Sequence, residues 1–263
     1  VIDIHTHILP GVDDGAQNLT NAVKMLEQAA ADGIKGIVCT PHILKKSDFD
    51  KEAIYFKRLE TLKKAGQESG IPVELYLGSE IYIQPDLSFE SRMSTLNNNG
   101  KYFLIEFPMS TIPRFAAEMF FALIADNRIP IIAHPERYVG FLRYPEFAFE
   151  FVNRGALLQV NAGSLRGKLG SEIRQLAYKF MDHNLVHFIA SDCHDVERRS
   201  CKLKETYQLV AEKWGEMTAN SIFIENPKIV LEGGELNLPM PSPIVKETAT
   251  WKNAFKKILK YWK

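Results

Sequence analysis

VIDIHTHILPGVDDG, residues 1–15, decides how the rest of the chain is read. Asp3, His5 and His7 alternate with the apolar Ile2, Ile4 and Ile8. Alternate side chains of a β-strand share a face, so an acid and two imidazoles converge on one spot. A strand this apolar is expected to be buried. Burying three ionisable groups together is costly unless something neutralises them.

The pattern recurs outward from there. Short β-branched runs at 2–5, 36–40, 73–78, 103–107, 130–133, 157–160 and 186–190 alternate with helical-period segments at 21–32, 51–69, 113–127, 145–154 and 170–183. Several helical segments end in Gly followed by an apolar run (Gly33-Ile34, Gly70-Ile71, Gly155-Ala156), as a helix C-terminus leading into a strand should. Such alternation predicts an α/β fold with a parallel sheet and crossover helices. Seven units fit a closed or nearly closed (β/α) barrel; an open doubly wound sheet is the alternative.

The 32 basic and 32 acidic side chains cancel, and a neutral chain is a poor match for a polynucleotide partner. No run of 18 apolar residues predicts a spanning helix, and no secretory leader is visible. Three cysteines, Cys39, Cys193 and Cys201, imply no disulfide framework, so the cytoplasm is the expected compartment. Residues 1–237 are read as one domain. Residues 238–245, LPMPSPIV, carry three prolines and read as an extended linker. Residues 246–263 hold six Lys and one Glu, with Trp251, Phe255, Ile258 and Trp262 on one helical stripe. This basic amphipathic helix would dock on the domain, lie on a membrane surface or bind a partner.

Every run delivers a polar group at its C-terminal end, the end where parallel α/β folds place ligands and catalysis. The ends carry Asp3, His5 and His7; His42; Glu80; Glu106; His134 with Arg137; Asn161; and Asp192 with His194. Divalent cations prefer neutral His and ionised carboxylates, and their binding reverses the cost of gathering them. Eight or nine ligands are too many for one tetrahedral ion, so two or three metals are expected, with Glu80 suited to bridging a pair. The mixed nitrogen and oxygen set suits Mn, Fe or Zn. His183 and His187 fall outside the strand ends and are read as structural. Cys193 and Arg199-Ser200 formally match the C-x5-R-S pattern of thiolate phosphatases. That loop has no glycine to cradle phosphate, and Asp195 and Glu197 would repel the dianion.

The motifs DIHTHILPGVDDG (3–15), TPH (40–42), GSE (78–80), IEFP (105–108), HPER (134–137) and ASDCH (190–194) run in order through most of the chain. Together they resemble the PHP (polymerase and histidinol phosphatase) superfamily, and within it the capsule-type bacterial manganese-dependent protein-tyrosine phosphatases. The resemblance implies a distorted seven-stranded (β/α) barrel holding two or three divalent metals, with Mn2+ expected. By position it implies His5, His7, Glu80 and Asp192 around one metal, Glu80, Glu106 and His134 around a second, and Asp14, His42 and His194 around a third. Asp3 and Asp13 would support these ligands from behind. Arg137 would grip the substrate phosphate, aided by Arg199 or its neighbour Arg198, and His42 or a water would supply the leaving-group proton.

The expected activity is hydrolysis of phosphotyrosine on protein, with no covalent enzyme intermediate. The implied substrate is the tail of a bacterial tyrosine kinase that controls capsule or exopolysaccharide synthesis. Such a tail lies near the inner face of the membrane, which gives the basic helix a role. The alternatives are a small-molecule phosphoesterase of histidinol-phosphatase type and a non-catalytic metal-binding scaffold of the same pathway.

Overall fold

The structure, a computed structural model, describes residues 1–87 and 89–245; the basic helix expected over 246–263 lies outside the described residues. Nine strands run through it: β1 (Ile2–Thr6), β2 (Gly36–Cys39), β3 (His42–Ile43), β4 (Glu74–Leu77), β5 (Glu80–Tyr82), β6 (Tyr102–Glu106), β7 (Ile129–Ala133), β8 (Leu157–Asn161) and β9 (Phe188–Ala190). The helices are α1 (Leu19–Ala31), α2 (Glu52–Glu68), α3 (Ala116–Ala125), α4 (Val139–Arg143), α5 (Glu146–Asn153), α6 (Ala162–Leu165), α7 (Ser171–Asp182), α8 (Lys204–Trp214), α9 (Glu216–Asn220) and α10 (Asn226–Leu231). Among the described residues no helix is long and apolar enough to cross a membrane.

Local chemistry accounts for these elements. Asn18 caps α1 by accepting the N–H of Asn21 at 3.0 Å, and Ala22, Met25, Leu26 and Ala29 bury one stripe at helical spacing. Gly33 follows with φ +91°, a conformation open to glycine, and turns the chain into β2. Along β6, Phe103 and Ile105 join the larger apolar cluster shared with the helices, while Tyr102 and Leu104 join a second cluster. Glu106 continues the row of Tyr102 and Leu104, so alternation alone sets the face on which it emerges.

All seven expected runs form strands, and among the described residues every strand pairing is parallel and no closed barrel is found. The strands divide into a three-stranded sheet, β1-β2-β4, and a six-stranded sheet, β3-β5-β6-β7-β8-β9. The second and third runs are each broken in two. Pro41 lacks the N–H that would carry the ladder from β2 into β3, and Gly78-Ser79 separates β4 from β5. Backbone bonds carry the pairing into the breaks, Gly78 N–H to Cys39 O at 2.9 Å after β2 and β4 and Glu80 N–H to Pro41 O at 3.1 Å before β3 and β5. Beside β9, Asp192 N–H donates to His5 O at 3.0 Å between the two sheets. Residues 238–245 form neither helix nor strand and lie against the end of α7. There Ser242 N–H donates to His183 O at 2.9 Å, and Ile244 is buried.

Candidate metal centre

The strand ends deliver their ionisable side chains to one place. His5 and His7 come from the end of β1, Asp13 and Asp14 from the loop before α1, and His42 and Glu80 open β3 and β5. Glu106 closes β6, His134 follows β7, and Asp192 and His194 follow β9. Three groups have ligand atoms within 4.8 Å of one another: His7, Asp14, His42 and His194; His5, His7 and Glu80; and His42, Glu80 and Glu106. Asp192 Oδ1 adds to the second group, 3.6 Å from His5 Nε2 and 3.5 Å from His7 Nε2. His134 Nε2 sits 2.8 Å from Glu80 Oε1 and 3.9 Å from Glu106 Oε1. All nine expected ligands therefore meet, with Glu80 at the centre. Two details differ from the expected grouping: His7 joins the third set, and His42 reaches the second.

The hydrogen bonds say which ring atoms face inward. His5 Nδ1 lies 2.8 Å from the amide oxygen of Gln159, which can only accept, so Nδ1 donates outward and Nε2 is the atom turned to the cluster. Asp13 Oδ2 does the same for His7 Nδ1 at 2.8 Å, and the Asp192 carbonyl for His194 Nδ1 at 3.1 Å. The Nε2 atoms of His5 and His7 stand 3.2 Å apart. Glu80 Oε2 is buried without a hydrogen bond, although three imidazole nitrogens stand 3.0–3.3 Å away. Imidazole nitrogens and carboxylate oxygens converging in this way form a donor set that fits divalent cations.

The electrostatics repeat the demand for positive charge. Burial alone would lower the His7 pKa, yet the carboxylates of Asp13 and Glu80 raise it to about 10. Burial and the neighbouring Glu80 push Glu106 up to about 7. Burial opposes ionisation of Asp192, but His5, His134 and Arg199 hold its carboxyl well below the usual range. His134 and Asp192 also adopt left-handed backbone conformations, φ 31° and 53°, which non-glycine residues take at a cost.

Asp192 joins the histidines to the arginines. Its Oδ2 accepts from Asn161 Nδ2 at 2.7 Å and Arg137 Nη1 at 3.1 Å and forms an ion pair with Arg199 Nη2 at 2.6 Å. Arg198, the other expected phosphate contact, makes no such bond to Asp192. Asp13 supports His7 as expected. Asp3 does not touch an imidazole: its Oδ1 accepts the N–H of Ser191 at 3.0 Å and of His5 at 3.4 Å, tying β1 to the end of β9. Its carboxyl is raised to about 6 by burial.

The side chain that orients His5 is Gln159, which strand-end reasoning missed. Gln159 Nε2 donates to Asn161 Oδ1 at 2.9 Å, completing a chain from His5 to Asp192. Its signal was the period-two row Leu157, Gln159, Asn161 on β8. Glu136, also unassigned, accepts from Asn161 N–H at 3.0 Å and Ser164 Oγ at 2.6 Å and is raised to about 7 by burial. His183 and His187 lie apart from the cluster, bonded to Ser242 Oγ and to the Leu158 N–H.

The cysteines need a correction. Cys193 and Cys201 are joined in a disulfide across a separation of eight residues, while Cys39 is buried and free. An odd cysteine count hides a pair that one short loop folds together. Asp195 forms that loop by accepting the N–H groups of Glu197 and Arg198 at 2.7 and 2.6 Å. A thiolate phosphatase needs a free thiol and loop N–H groups open to phosphate; here the first is bonded and the second are occupied.

Residues 1–232 match the family described as "Capsular polysaccharide synthesis, CpsB/CapC". The chain is 32% identical over 248 residues to the tyrosine-protein phosphatase YwqE of Bacillus subtilis, covering 93% of this chain and 96% of the relative. It is 31% identical over 239 residues to the tyrosine-protein phosphatase CpsB of Streptococcus agalactiae serotype V, covering 88% and 98%. Its fold superposes with a TM-score of 0.88 and 31% identity on a crystal structure from work on YwqE of Bacillus subtilis and CpsB of Streptococcus pneumoniae, described as unique metal-dependent tyrosine phosphatases. That match covers 94% of this chain and all of the other.

Proposed function

We propose, from the premise that this chain belongs to the CpsB/CapC capsular polysaccharide synthesis family, that it is a metal-dependent protein-tyrosine phosphatase. The observation that carries the reading is the inward convergence of imidazole nitrogens and carboxylates on Glu80 Oε2, with two arginines behind Asp192. His5, His7, Glu80 and Asp192 would hold one ion, Glu80, Glu106 and His134 a second, and Asp14, His42 and His194 a third. When bound, divalent cations, Mn2+ in this reading, supply the charge that activates water and neutralises phosphate oxygens. The two sheets are read as halves of a distorted seven-stranded barrel, supported by the backbone bonds across their seams.

The protein's own groups do the rest. Arg137 and Arg199 turn from Asp192 Oδ2 toward the phosphate, where bidentate guanidinium bonds spread over its oxygens as charge shifts to the leaving group. His42 is half-buried, more open than the other ligand histidines, and in this reading would hand a proton to the departing phenolate. A phenol, with a pKa of about 10, needs little such help. Gln159 and Asp13 keep the ring protons of His5 and His7 on the outer nitrogens.

Hydrolysis of p-nitrophenyl phosphate and a phosphotyrosyl peptide tests the reading. Both should be stimulated by Mn2+, abolished by EDTA and reduced at least 100-fold by Arg137→Ala, the order expected for a lost transition-state charge contact. Activity that survives EDTA but is lost in Cys193→Ser would reverse the assignment. The substrate is read as the phosphorylated tail of a bacterial tyrosine kinase, at the inner face of the membrane. We read 1–237 as the domain, 238–245 as the linker and 246–263, outside the described residues, as the basic C-terminal segment that would reach the membrane in this reading. Deleting 246–263 should then lower binding to anionic vesicles and activity on membrane-held kinase; unchanged values for both would remove that role.

A further inference from the structure

Beside the metal centre lies a cavity of about 130 Å³ whose inner end is Asp192, Arg137 and Arg199. Its outer wall is a second set of cations, Arg166, Lys168 and Arg198. A tight turn after α6 presents Arg166 and Lys168 there, closed by Lys168 N–H donating to Gly163 O at 2.9 Å and passing through Gly167 at φ +77°. Asp192 is the one carboxylate in this wall, and it is already shared among the imidazoles, Asn161 and the two inner arginines. Outside the wall, Glu205 pairs with Arg166 Nη1 at 2.7 Å, and Asp195 is engaged by loop N–H groups.

Glu205 therefore answers Arg166 from outside, while Lys168 and Arg198 have no ion pair among the described residues. Arg166 Nε is buried with no acceptor, and burial followed by the charge of Arg166 lowers the pKa of Lys168. One phosphate gripped by Arg137 and Arg199 leaves Lys168 and Arg198, with Arg166 beside them, in the same cavity wall. We propose that this outer pocket is a second anion-binding subsite, which takes an acidic group flanking the phosphotyrosine of the substrate, either a carboxylate side chain or a second phosphate. The subsite rests on the phosphatase reading and specifies its substrate as an acidic or multiply phosphorylated peptide. Charge-assisted bonds to Arg166 and Lys168 would act mainly on binding, and they weaken as salt rises.

Three phosphotyrosyl peptides test this on the Mn2+-loaded protein: one with neutral flanks, one with flanking glutamates and one with a second phosphotyrosine. The readout is the ratio of kcat/KM on each acidic peptide to the neutral one, so losses common to all substrates cancel. Wild type should show a ratio of about 10, residing in KM. Lys168→Ala should bring it to about 1, Lys168→Glu below 1, and Lys168→Arg should retain it. A raised ratio for both acidic peptides assigns the pocket to carboxylates and phosphates alike, and a raised ratio for the doubly phosphorylated peptide alone assigns it to phosphate. A wild-type ratio of 1, or one unmoved in both Lys168→Ala and Lys168→Glu, overturns the subsite. The same peptides made with a non-hydrolysable difluoromethylphosphonate are then compared by fluorescence anisotropy. A binding preference without turnover of any true substrate would keep the subsite and reject the phosphatase reading; turnover without preference would do the reverse.

Discussion

His187 is buried, and its Nδ1 accepts the backbone N–H of Leu158 at 3.0 Å, a bond that requires a neutral ring. Burial pushes its pKa down to about 3, whereas an unfolded histidine titrates near ~6.5. As pH falls below about 6.5 the unfolded chain takes the proton and the folded chain does not, so stability is lost toward about pH 3, at up to about 1.4 kcal/mol per pH unit. His187→Gln keeps an acceptor without a titrating group. Denaturant unfolding between pH 7 and 4.5 should therefore show wild type losing roughly 2 to 3 kcal/mol more than the variant; parallel pH profiles would reject this. The same residue shows what single positions reveal. His5 lies near the end of β1 and His187 just before β9, and this placement separates the candidate ligand from the structural hydrogen-bond acceptor. Gln159 was illegible because one amide on a strand face has no chemistry of its own until its partner is seen. The Cys193–Cys201 pair was illegible because its loop is shaped by Asp195.

The element that most constrains the centre is the loop from His7 to Ala16. Ala16 N–H donates to His7 O at 2.9 Å, Gly15 N–H to Asp13 Oδ1 at 3.0 Å, and Asp13 Oδ2 holds His7 Nδ1. The loop thus folds back onto the strand end that it leaves, and Gly15 lies against it. A Cβ on Gly15 would stand 1.8 Å from the His7 carbonyl oxygen, a clash with backbone that no rotamer relieves. Gly15→Ala should cost several kcal/mol and displace Asp13 and Asp14 together. Titration calorimetry with Mn2+ should show at least a tenfold loss of affinity, the scale of losing support for a ligand histidine. Wild-type affinity would mean that the loop is not held by this contact. Elements of this kind were half legible: DDG after a His-x-His strand marks a turn of acids, but not that the turn packs on His7. Strand positions were legible from β-branched runs, yet the breaks at Pro41 and Gly78 were visible only as residues.

For the whole molecule, periodicity told which face each strand buries, and it could not tell whether the ladder closes. Closure depends on twist and on seams such as Asp192 to His5, which leave no pattern in composition. The expected single barrel therefore resolves into two sheets, and the candidate ligands come from both. His5 and His7 belong to the end of β1 in the three-stranded sheet; His42, Glu80 and Glu106 belong to the six-stranded one. Cations held among them would tie the sheets together across the seam that backbone bonds only stitch. Binding to the folded chain alone stabilises it by about 2.7 kcal/mol at a hundredfold excess over Kd, which for a chain of this size raises Tm by roughly 5 to 10 °C. Thermal unfolding should accordingly shift upward with Mn2+ and back with EDTA. Glu80→Gln, which removes the charge all three clusters share or border, should abolish most of the shift while Lys168→Ala retains it. A Tm indifferent to both Mn2+ and EDTA would show that the two sheets hold together without the centre and that the convergence on Glu80 is not a cation site.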